Sequence, residues 1–459
     1  MMFSDGFGNV SYFYPSIGSS WVISETFRGR MPHFMSFARA RASYAIVGSD
    51  TGPYTITNPG AFRFMTSFED TRFGTGRYPV FGFVNSYATS RDIQPEMQHA
   101  IELGFDVRFL NNRIGLDATY YRTNTRNQII WLSTPASMGI TRRLINAGNI
   151  QNQGVELLLT GTPVRRRDMS WDLGLNFTRN RNTVVDLYDG MERYQLGGGA
   201  NDVTAWATAG GVFGDIYTNF AFLRDDEGRK LLNASGGYVR AGTPTRVGNF
   251  QPSFLGGFTS DFRWRNFGFH VVIDSRFGGH IYSSSFNEGM WFGNLQSSLP
   301  GRPGHGGLPR NISTEENPRI VYDGVIPNGV TILDGRDVSG MSFQEAIDRG
   351  WITPISAASY YFNRYSWGSG IREASILDLS WVALRELSFT YDLPRSWTER
   401  LHLQGAAIGL TMRNVAYLYN SLPDNIHPEG LRSASAVEFR EGGGNVFART
   451  VGVRLNVTF

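Results

Sequence analysis

Apolar and polar side chains alternate strictly over many short stretches of this chain. A period of two commits those stretches to β-strands, because successive strand residues point to opposite faces. From Ile101 the apolar set is Ile101, Leu103, Phe105, Val107 and Phe109, with Glu102, Gly104, Asp106 and Arg108 between them. After Asn111 and Asn112, good turn residues, the alternation resumes with Ile114, Leu116, Ala118 and Tyr120 set against Arg113, Gly115, Asp117 and Thr119. This is a hairpin. Val155, Leu157 and Leu159 pair in the same way with Trp171, Leu173, Leu175 and Phe177 across the Arg165 to Asp168 turn. Phe254, Phe258 and Phe262 do so with Phe267, Phe269, Val271 and Ile273 across Arg265 and Asn266. Leu387, Phe389, Tyr391 and Leu393 lead through Pro394 to Ala406, Ile408, Leu410 and Met412. The chain ends on Val451, Val453, Leu455, Val457 and Phe459. The expected fold class is all-β and antiparallel.

A soluble sandwich and a membrane barrel share this alternation, since either can hide one face of a sheet. Four features favour the barrel. Short turns near 110–112, 163–168, 265–266 and 394–400 alternate with long irregular segments near 122–150, 275–375 and 413–447, the asymmetry of outer-membrane barrels with tight periplasmic turns and long outside loops. No charged residue falls on the apolar side of the runs above, where an Arg or Lys at mid-bilayer costs about 2–4 kcal/mol. The opposite side carries small residues, among them Gly104, Gly115, Gly174, Gly268, Gly409 and Gly452. Tyr120, Trp131, Trp171, Trp264 and Tyr391 fall near strand ends, as the aromatic girdles of a bilayer do. Two more strands near 212–223 and 230–240 complete the count.

Composition removes other classes. There is no cysteine, so no disulfide or thiolate metal site. The balance of 43 basic and 40 acidic residues, with Lys230 the single lysine, does not suit a nucleic-acid surface. No apolar run approaches the ~18 residues of a membrane helix. Met1 to Asp5 lacks the features of a signal peptide, so the expectation is either a cytoplasmic protein or a longer one whose beginning is absent. Residues 283–370, rich in Gly, Pro, Asn and Ser, read as one large loop. Inside it Ser342 and Glu345 form a capping-box pattern that starts a short helix, which Gly350 ends.

No catalytic or metal constellation is expected, and no cofactor. The seven histidines include no HExxH, and His270 and His280 read as lumen-lining. Asp225, Asp226 and Glu227 before Gly228 read first as a turn. Trp291, Tyr360, Tyr361 and Trp367, in or beside the largest loop, are candidate substrate contacts, because aromatic planes suit sugar rings and peptide side chains alike. Phe459, terminal and on the apolar face, is a candidate barrel-assembly signal. Arg108, Arg113 and Arg454 on the polar face are offset by Glu102, Asp106 and Asp117.

Seven segments together resemble the SusC/RagA family of TonB-dependent outer-membrane transporters. They are FYPSIGSSWVISETF at 13–27, RARASYAIVGS at 39–49, IELGFDVRFLNNRIGLDATYYRTNT at 101–125, INAGNIQNQGVELLLTGTPV at 145–164, SFTYDLP at 388–394, HPEG at 427–430 and the closing VRLNVTF. Ala45, Arg39 and Gln153 depart from the family's usual glycine, lysine and lysine. The resemblance implies that residues 1–459 are the C-terminal part of a 22-strand barrel, about 12 to 14 strands of it, with 283–370 as a large extracellular loop. The family's signal peptide, carboxypeptidase-like extension, TonB-contacting segment and plug domain are expected to be missing. An open half-barrel would leave backbone groups unpaired in lipid, so the expectation is a truncated product or an incomplete reading frame, or else a smaller barrel closed by its first and last strands. The resemblance further implies import of oligosaccharides or peptides across the outer membrane of a Bacteroidota-like bacterium. The partners would be a SusD-like surface lipoprotein and the TonB, ExbB and ExbD proteins acting on the plug. No bond of the cargo is broken in such a mechanism, so the chain is not expected to be an enzyme. A secreted soluble β-sandwich that binds glycans and an outer-membrane β-barrel hydrolase are the alternatives.

Overall fold

The structure, a computed structural model, describes residues 12–49, 62–69, 77–83, 87–89, 93–134, 142–198, 202–233, 237–300, 325–330, 336–352, 357–442 and 448–459. In chain order the elements begin with β1 (Ser16–Val22), α1 (Ile23–Thr26), β2 (Met35–Ser49), β3 (Phe62–Glu69), β4 (Arg77–Phe83) and β5 (Tyr87–Thr89). Next come β6 (Glu96–Phe109), β7 (Ile114–Ser133), β8 (Arg142–Arg166), β9 (Met169–Asp186), β10 (Arg193–Gly198), β11 (Val203–Thr208), β12 (Asp215–Thr218) and β13 (Thr245–Asn249). Then follow β14 (Phe254–Trp264), β15 (Phe267–Phe277), β16 (His280–Ser283), α2 (Ser284–Phe292), α3 (Phe343–Asp348), α4 (Ala357–Tyr365) and β17 (Ile376–Asp378). The last are β18 (Trp381–Asp392), α5 (Arg395–Thr398), β19 (Gly405–Asn420), β20 (Arg440–Glu441) and β21 (Thr450–Thr458).

The main sheet has 12 strands, eleven of them on the path β1-β2-β6-β7-β8-β9-β14-β15-β18-β19-β21. Every pair of path strands with an assigned register is antiparallel. The chain divides into two compact units, one of residues 1–159, 178–193 and 208–212, the other of 160–177, 194–207 and 213–459.

Within the second unit, register turns the sequence alternation into rows that run straight across the strands. Phe269 lies opposite Phe389, Phe389 opposite Leu410, and Leu410 opposite Val453. The rows on either side run Phe267, Tyr391, Ile408, Leu455 and Val271, Leu387, Met412, Val451. The alternate rows are polar or small: Gly268, Thr390, Gly409, Arg454, and His270, Ser388, Thr411, Gly452. A one-residue slip at any strand would mix the two faces, so patterning holds the register. The apolar rows are not a buried core. Phe269 is 42% exposed, Phe389 43%, Leu410 43% and Val453 76%.

In the first unit the rows are Trp21, Ala40, Phe105, Ala118 on one face and Ser20, Arg41, Gly104, Thr119 on the other. The apolar face is again open, with Phe105 and Leu103 exposed. The β6–β7 turn uses left-handed backbone at Leu110, Asn111 and Asn112, a conformation asparagine tolerates better than most residues. The β14–β15 turn does the same at Arg265.

Four expectations need correction. The segment 122–150 is mostly strand rather than irregular: β7 runs to Ser133 and β8 starts at Arg142. From Arg122 to Gln128 both faces of β7 are polar, so no alternation shows there; Asn124 donates to Asn149, and the Gln151 amide oxygen faces the Arg122 guanidinium. Likewise β19 continues to Asn420 inside the segment read as irregular from 413. The described residues of 212–223 and 230–240 are not wall strands. The region instead holds a separate sheet in the order β10-β11-β12-β13, followed by single bridges such as Phe222 with Arg240 and Leu232 with Tyr238. Its alternating apolar residues serve an ordinary buried core of Val203, Ala205, Ile216, Phe250, Tyr282 and Phe439. Trp131, expected in a girdle, packs beside Ile93 and Leu144 with Arg142 over its ring.

The connection between β15 and β18 has a core of its own. Ile281, Phe286, Met290, Tyr361, Tyr365 and Leu379 are buried against Trp381 and Leu422, and a second cluster gathers Leu232, Ile326, Val338, Ala346 and Ile352. Half of the expected capping box forms: the Ser342 hydroxyl accepts from the Glu345 N–H at 3.1 Å, whereas the Glu345 carboxylate accepts from Arg349, and α3 gives way to Gly350 in left-handed conformation. The stretch GRPGHGGLPRN at 301–311 lies outside the described residues.

Candidate functional site

Two surfaces carry polar chemistry, one in each unit. On the polar face of the first unit, Asp106 and Asp117 sit directly opposite each other on β6 and β7. Opposed like charges destabilise a sheet unless they are neutralised. Arg39 reaches Asp106 at 3.3 Å, and Arg41 reaches Asp117 at 2.5 Å and Thr119 at 2.8 Å. Gly104 makes this possible, because a Cβ there would fall 2.0 Å from Arg41 Nε. The guanidinium stem therefore lies flat across the sheet and bounds a shallow recess of about 310 Å³ with Ser20, Ser43, Glu102 and Thr119. The face offers hydrogen bonds of both senses to a polar solute. A second glycine shows the same device: a Cβ on Gly154 would meet the Arg179 carbonyl and the Tyr121 hydroxyl, each at 2.5 Å.

In the second unit the sites lie on the connections. The Ser283 hydroxyl caps α2 by accepting from the Phe286 N–H and itself donates to the buried Glu441 carboxylate, which also accepts from the Ser285 hydroxyl at 2.6 Å. Trp291 stacks on Phe292 with centroids 4.6 Å apart and lies 6.4 Å from Phe362 of α4. Phe292 and Phe362 are exposed, so these rings form an open aromatic platform. The Trp367 ring is 52% exposed, while its carbonyl accepts from the buried Arg372. Tyr361 is different. It is 2% exposed, and its hydroxyl donates to the Pro300 carbonyl at 3.2 Å. The Tyr360 hydroxyl accepts from Arg364, whose guanidinium lies within 6 Å of the rings of Phe222, Tyr238, Tyr360 and Tyr365. Burial pushes the Tyr365 phenol up to about 12. Of the four aromatics singled out in the sequence, Trp367 presents surface, Trp291 is half-buried against the core of the connection, and Tyr360 and Tyr361 fasten α4. Phe292 and Phe362 were missed, for nothing in the alternation marks a helix face.

The HPEG segment at 427–430 is fastened to the wall. Glu429 accepts from Arg385 of β18 and from the Tyr417 hydroxyl of β19, both at 2.7 Å. The Glu429 N–H donates to His427 Nδ1 at 3.3 Å, so that ring nitrogen serves as an acceptor. Burial holds the His427 imidazole below its ordinary pKa. Burial alone would raise Glu429, but the Arg385 and Tyr417 hydrogen bonds outweigh it and hold the carboxyl below the usual range.

Asp225 to Gly228 is a turn, closed by the Gly228 N–H donating to the Asp225 carbonyl at 2.9 Å, with Arg229 bound to both Asp225 and Glu227. His270 pairs with Asp261 at 2.7 Å and His280 with Asp378 at 3.2 Å. Among the described residues no serine hydroxyl bonds to either ring, and no group of three metal-ligating side chains converges.

An exposed apolar face in register across consecutive strands, backed by a polar face, is the wall of a barrel in lipid. The family described as "TonB dependent receptor-like, beta-barrel" matches residues 3–285. The chain belongs to this family of TonB-dependent receptor β-barrels. It is 25% identical over 311 residues to TonB-dependent receptor P3 of Formosa agariphila, an alignment covering 62% of this chain and 30% of that protein. To TonB-dependent receptor SusC of Bacteroides thetaiotaomicron it is 22% identical over 291 residues, 59% of this chain and 28% of that one. The chain thus spans about a third of the length of these relatives. In structure it is similar to the RagAB peptide importer in its "closed-closed" state, with a TM-score of 0.66 and 19% identity over 99% of this chain and 44% of that one. The "open-open" state gives 0.65 and 18%. The SusC/RagA character read from the seven segments, and the all-β partial barrel it implied, both stand. TonB-dependent receptor barrels are outer-membrane proteins, and the relatives' hosts are Bacteroidota.

Proposed function

We propose that this chain forms wall and outer connections of an outer-membrane active transporter that imports oligosaccharides or peptides. It works with a SusD-like surface lipoprotein and is energised through TonB, ExbB and ExbD acting on a plug domain. The observation that carries the reading is the set of apolar rows through Phe269, Phe389, Leu410 and Val453, which are solvent-exposed yet free of charge. A soluble sandwich would need a second sheet over those rows, and their exposure speaks against one. A hydrolase would need a Ser/His/Asp or similar group. Among the described residues His270 pairs with Asp261 and His280 with Asp378, while His99 and His427 bond the phenols of Tyr44 and Tyr417, and none of these is a Ser/His/Asp group. The chain acts without catalysis: cargo is bound, passed and released unchanged.

In this reading the segment 283–370 is extracellular, Trp291 and Trp367 meet cargo together with Phe292 and Phe362, and Tyr360 and Tyr361 hold the platform in place. Phe459, 84% exposed at the end of β21, is the assembly signal. The test is uptake of a labelled oligosaccharide or peptide mixture by cells that make the protein, with and without a collapsed proton gradient. Transport requires detergent for extraction and gradient-dependent uptake. Protein that stays monodisperse in plain buffer, or uptake indifferent to the gradient, overturns the reading.

A further inference from the structure

The short connections of the second unit carry a charge that the rest of the chain does not. Residues 163–168, 263–266 and 392–404 hold seven arginines against three acids, whereas the remaining 36 basic and 37 acidic residues nearly cancel. Backbone bonds hold these connections at one end of the sheet: the Arg265 N–H donates to the Asp168 carbonyl at 2.7 Å and the Asp392 N–H to the Asn266 carbonyl at 2.8 Å. Between the first two lies an open recess of about 690 Å³ lined by Arg166, Arg167, Arg263 and Arg265, with Asp168 its one acid. All four arginines are exposed, and none has a carboxylate partner among the described residues. Four guanidiniums gathered around one carboxylate repel one another unless an anion joins them, and their planar forks match phosphate oxygens in pairs.

The surroundings identify the carrier of that phosphate. Directly inside the turns an aromatic file runs along the apolar face. Trp171 meets Phe262 at 6.5 Å, Trp264 meets Phe267 at 6.1 Å, and Phe267 meets Tyr391 at 4.8 Å. Such a file marks the headgroup level of a bilayer. Arg265 rests over the Trp264 ring at 5.6 Å, joining the recess to that file.

We propose that this recess is a binding site for the headgroup of an anionic phospholipid, whose phosphate sits among the four guanidiniums and whose acyl chains run along the aromatic file. The inference rests on the reading that the apolar face meets lipid, and it goes beyond transport. Basic residues at a membrane surface contribute roughly fivefold each to anionic-lipid binding.

The test is native mass spectrometry of the protein purified in a non-ionic detergent, titrated with phosphatidylglycerol, phosphatidylcholine or glycerol phosphate. Phosphatidylglycerol should be retained at least tenfold more strongly than the other two, and the preference should fall with salt. R166Q/R167Q/R263Q/R265Q should lose it while R179Q/R181Q keeps it, with heat-modifiable gel migration reporting that each variant is folded. Should the fourfold variant fail to fold, the lipid comparison on the unaltered protein decides. Equal retention of the two lipids, or retention of glycerol phosphate as strong as that of phosphatidylglycerol, overturns the proposal. Protein that needs detergent yet shows no preference removes this inference alone. Protein that needs no detergent removes the membrane reading beneath it.

Discussion

Leu410→Arg is the most direct probe of what the apolar rows face. Leu410 lies five residues into β19 from its short-turn end at Gly405. At about 3.4 Å per residue that is roughly 17 Å along the strand. A tilt of about 40° reduces it to about 13 Å of depth, near the middle of an apolar band about 25 Å tall. A guanidinium there, flanked by Phe389 and Val453, should cost about 2–4 kcal/mol. Ala406→Arg, one residue from the same end, should cost only about 0–1 kcal/mol, and Thr411→Arg, on the polar face, should be close to neutral. The assay is reversible unfolding in urea after reconstitution into liposomes, followed by tryptophan fluorescence. A lipid-facing row requires the order 410, then 406, then 411. Were Leu410→Arg neutral, or no worse than Ala406→Arg, the row would be facing water and the depth argument would be wrong.

Arg41→Ala leaves Asp106 and Asp117 opposed with one counter-charge fewer, and should destabilise the first unit by about 1 kcal/mol, since the pair is partly exposed; adding Asp117→Asn should recover most of that in a double-mutant cycle. Gly154→Ala forces a methyl group against the Arg179 carbonyl and should cost about 1–3 kcal/mol, visible as a lower melting temperature in detergent. Trp367→Ala should weaken cargo capture while leaving the fold intact, whereas Tyr361→Ala, a core truncation, should cost about 3–5 kcal/mol and release α4 to proteolysis. Acid should loosen the HPEG segment in two steps. His427 has a depressed folded pKa, so its contribution is whole above the unfolded value of about 6.5 and drains away as pH falls through the folded one; Glu429, also depressed, follows below about 4.3. Hydrogen exchange across 423–442 should therefore rise below about pH 6, and His427→Gln should remove the first step.

Much of the wall was legible because lipid imposes a period of two on whatever crosses it. The Asn111–Asn112, Arg265–Asn266 and Pro394 turns lie where the alternation breaks, and the final strand occupies Thr450–Thr458. What escaped the pattern lies where lipid does not reach. Asn124, Asn149 and Gln151 extend β7 and β8 through side-chain amides that no hydrophobic period reveals. Residues 193–249 alternate for the sake of a conventional core around Ile216 and Tyr282. The aromatic cluster of the connection was half visible. Composition drew attention to the loop, but only packing separates the buried Tyr361 from the open Phe292 and Phe362. The arginines of the recess were visible singly in each turn, and their convergence was not, because it depends on which turns become neighbours.

β7 has 20 residues, roughly 66 Å of extended chain, and even tilted it stands about 50 Å tall, twice the oily layer it must traverse. Such a strand is two materials joined end to end: a greasy lower storey fixed by the bilayer, and an upper storey that is an ordinary water-soluble sheet stitched by amides. The upper storey answers to none of the constraints below it. Its residues answer to water and to one another, so polar substitutions that the lower storey would refuse should be tolerated there.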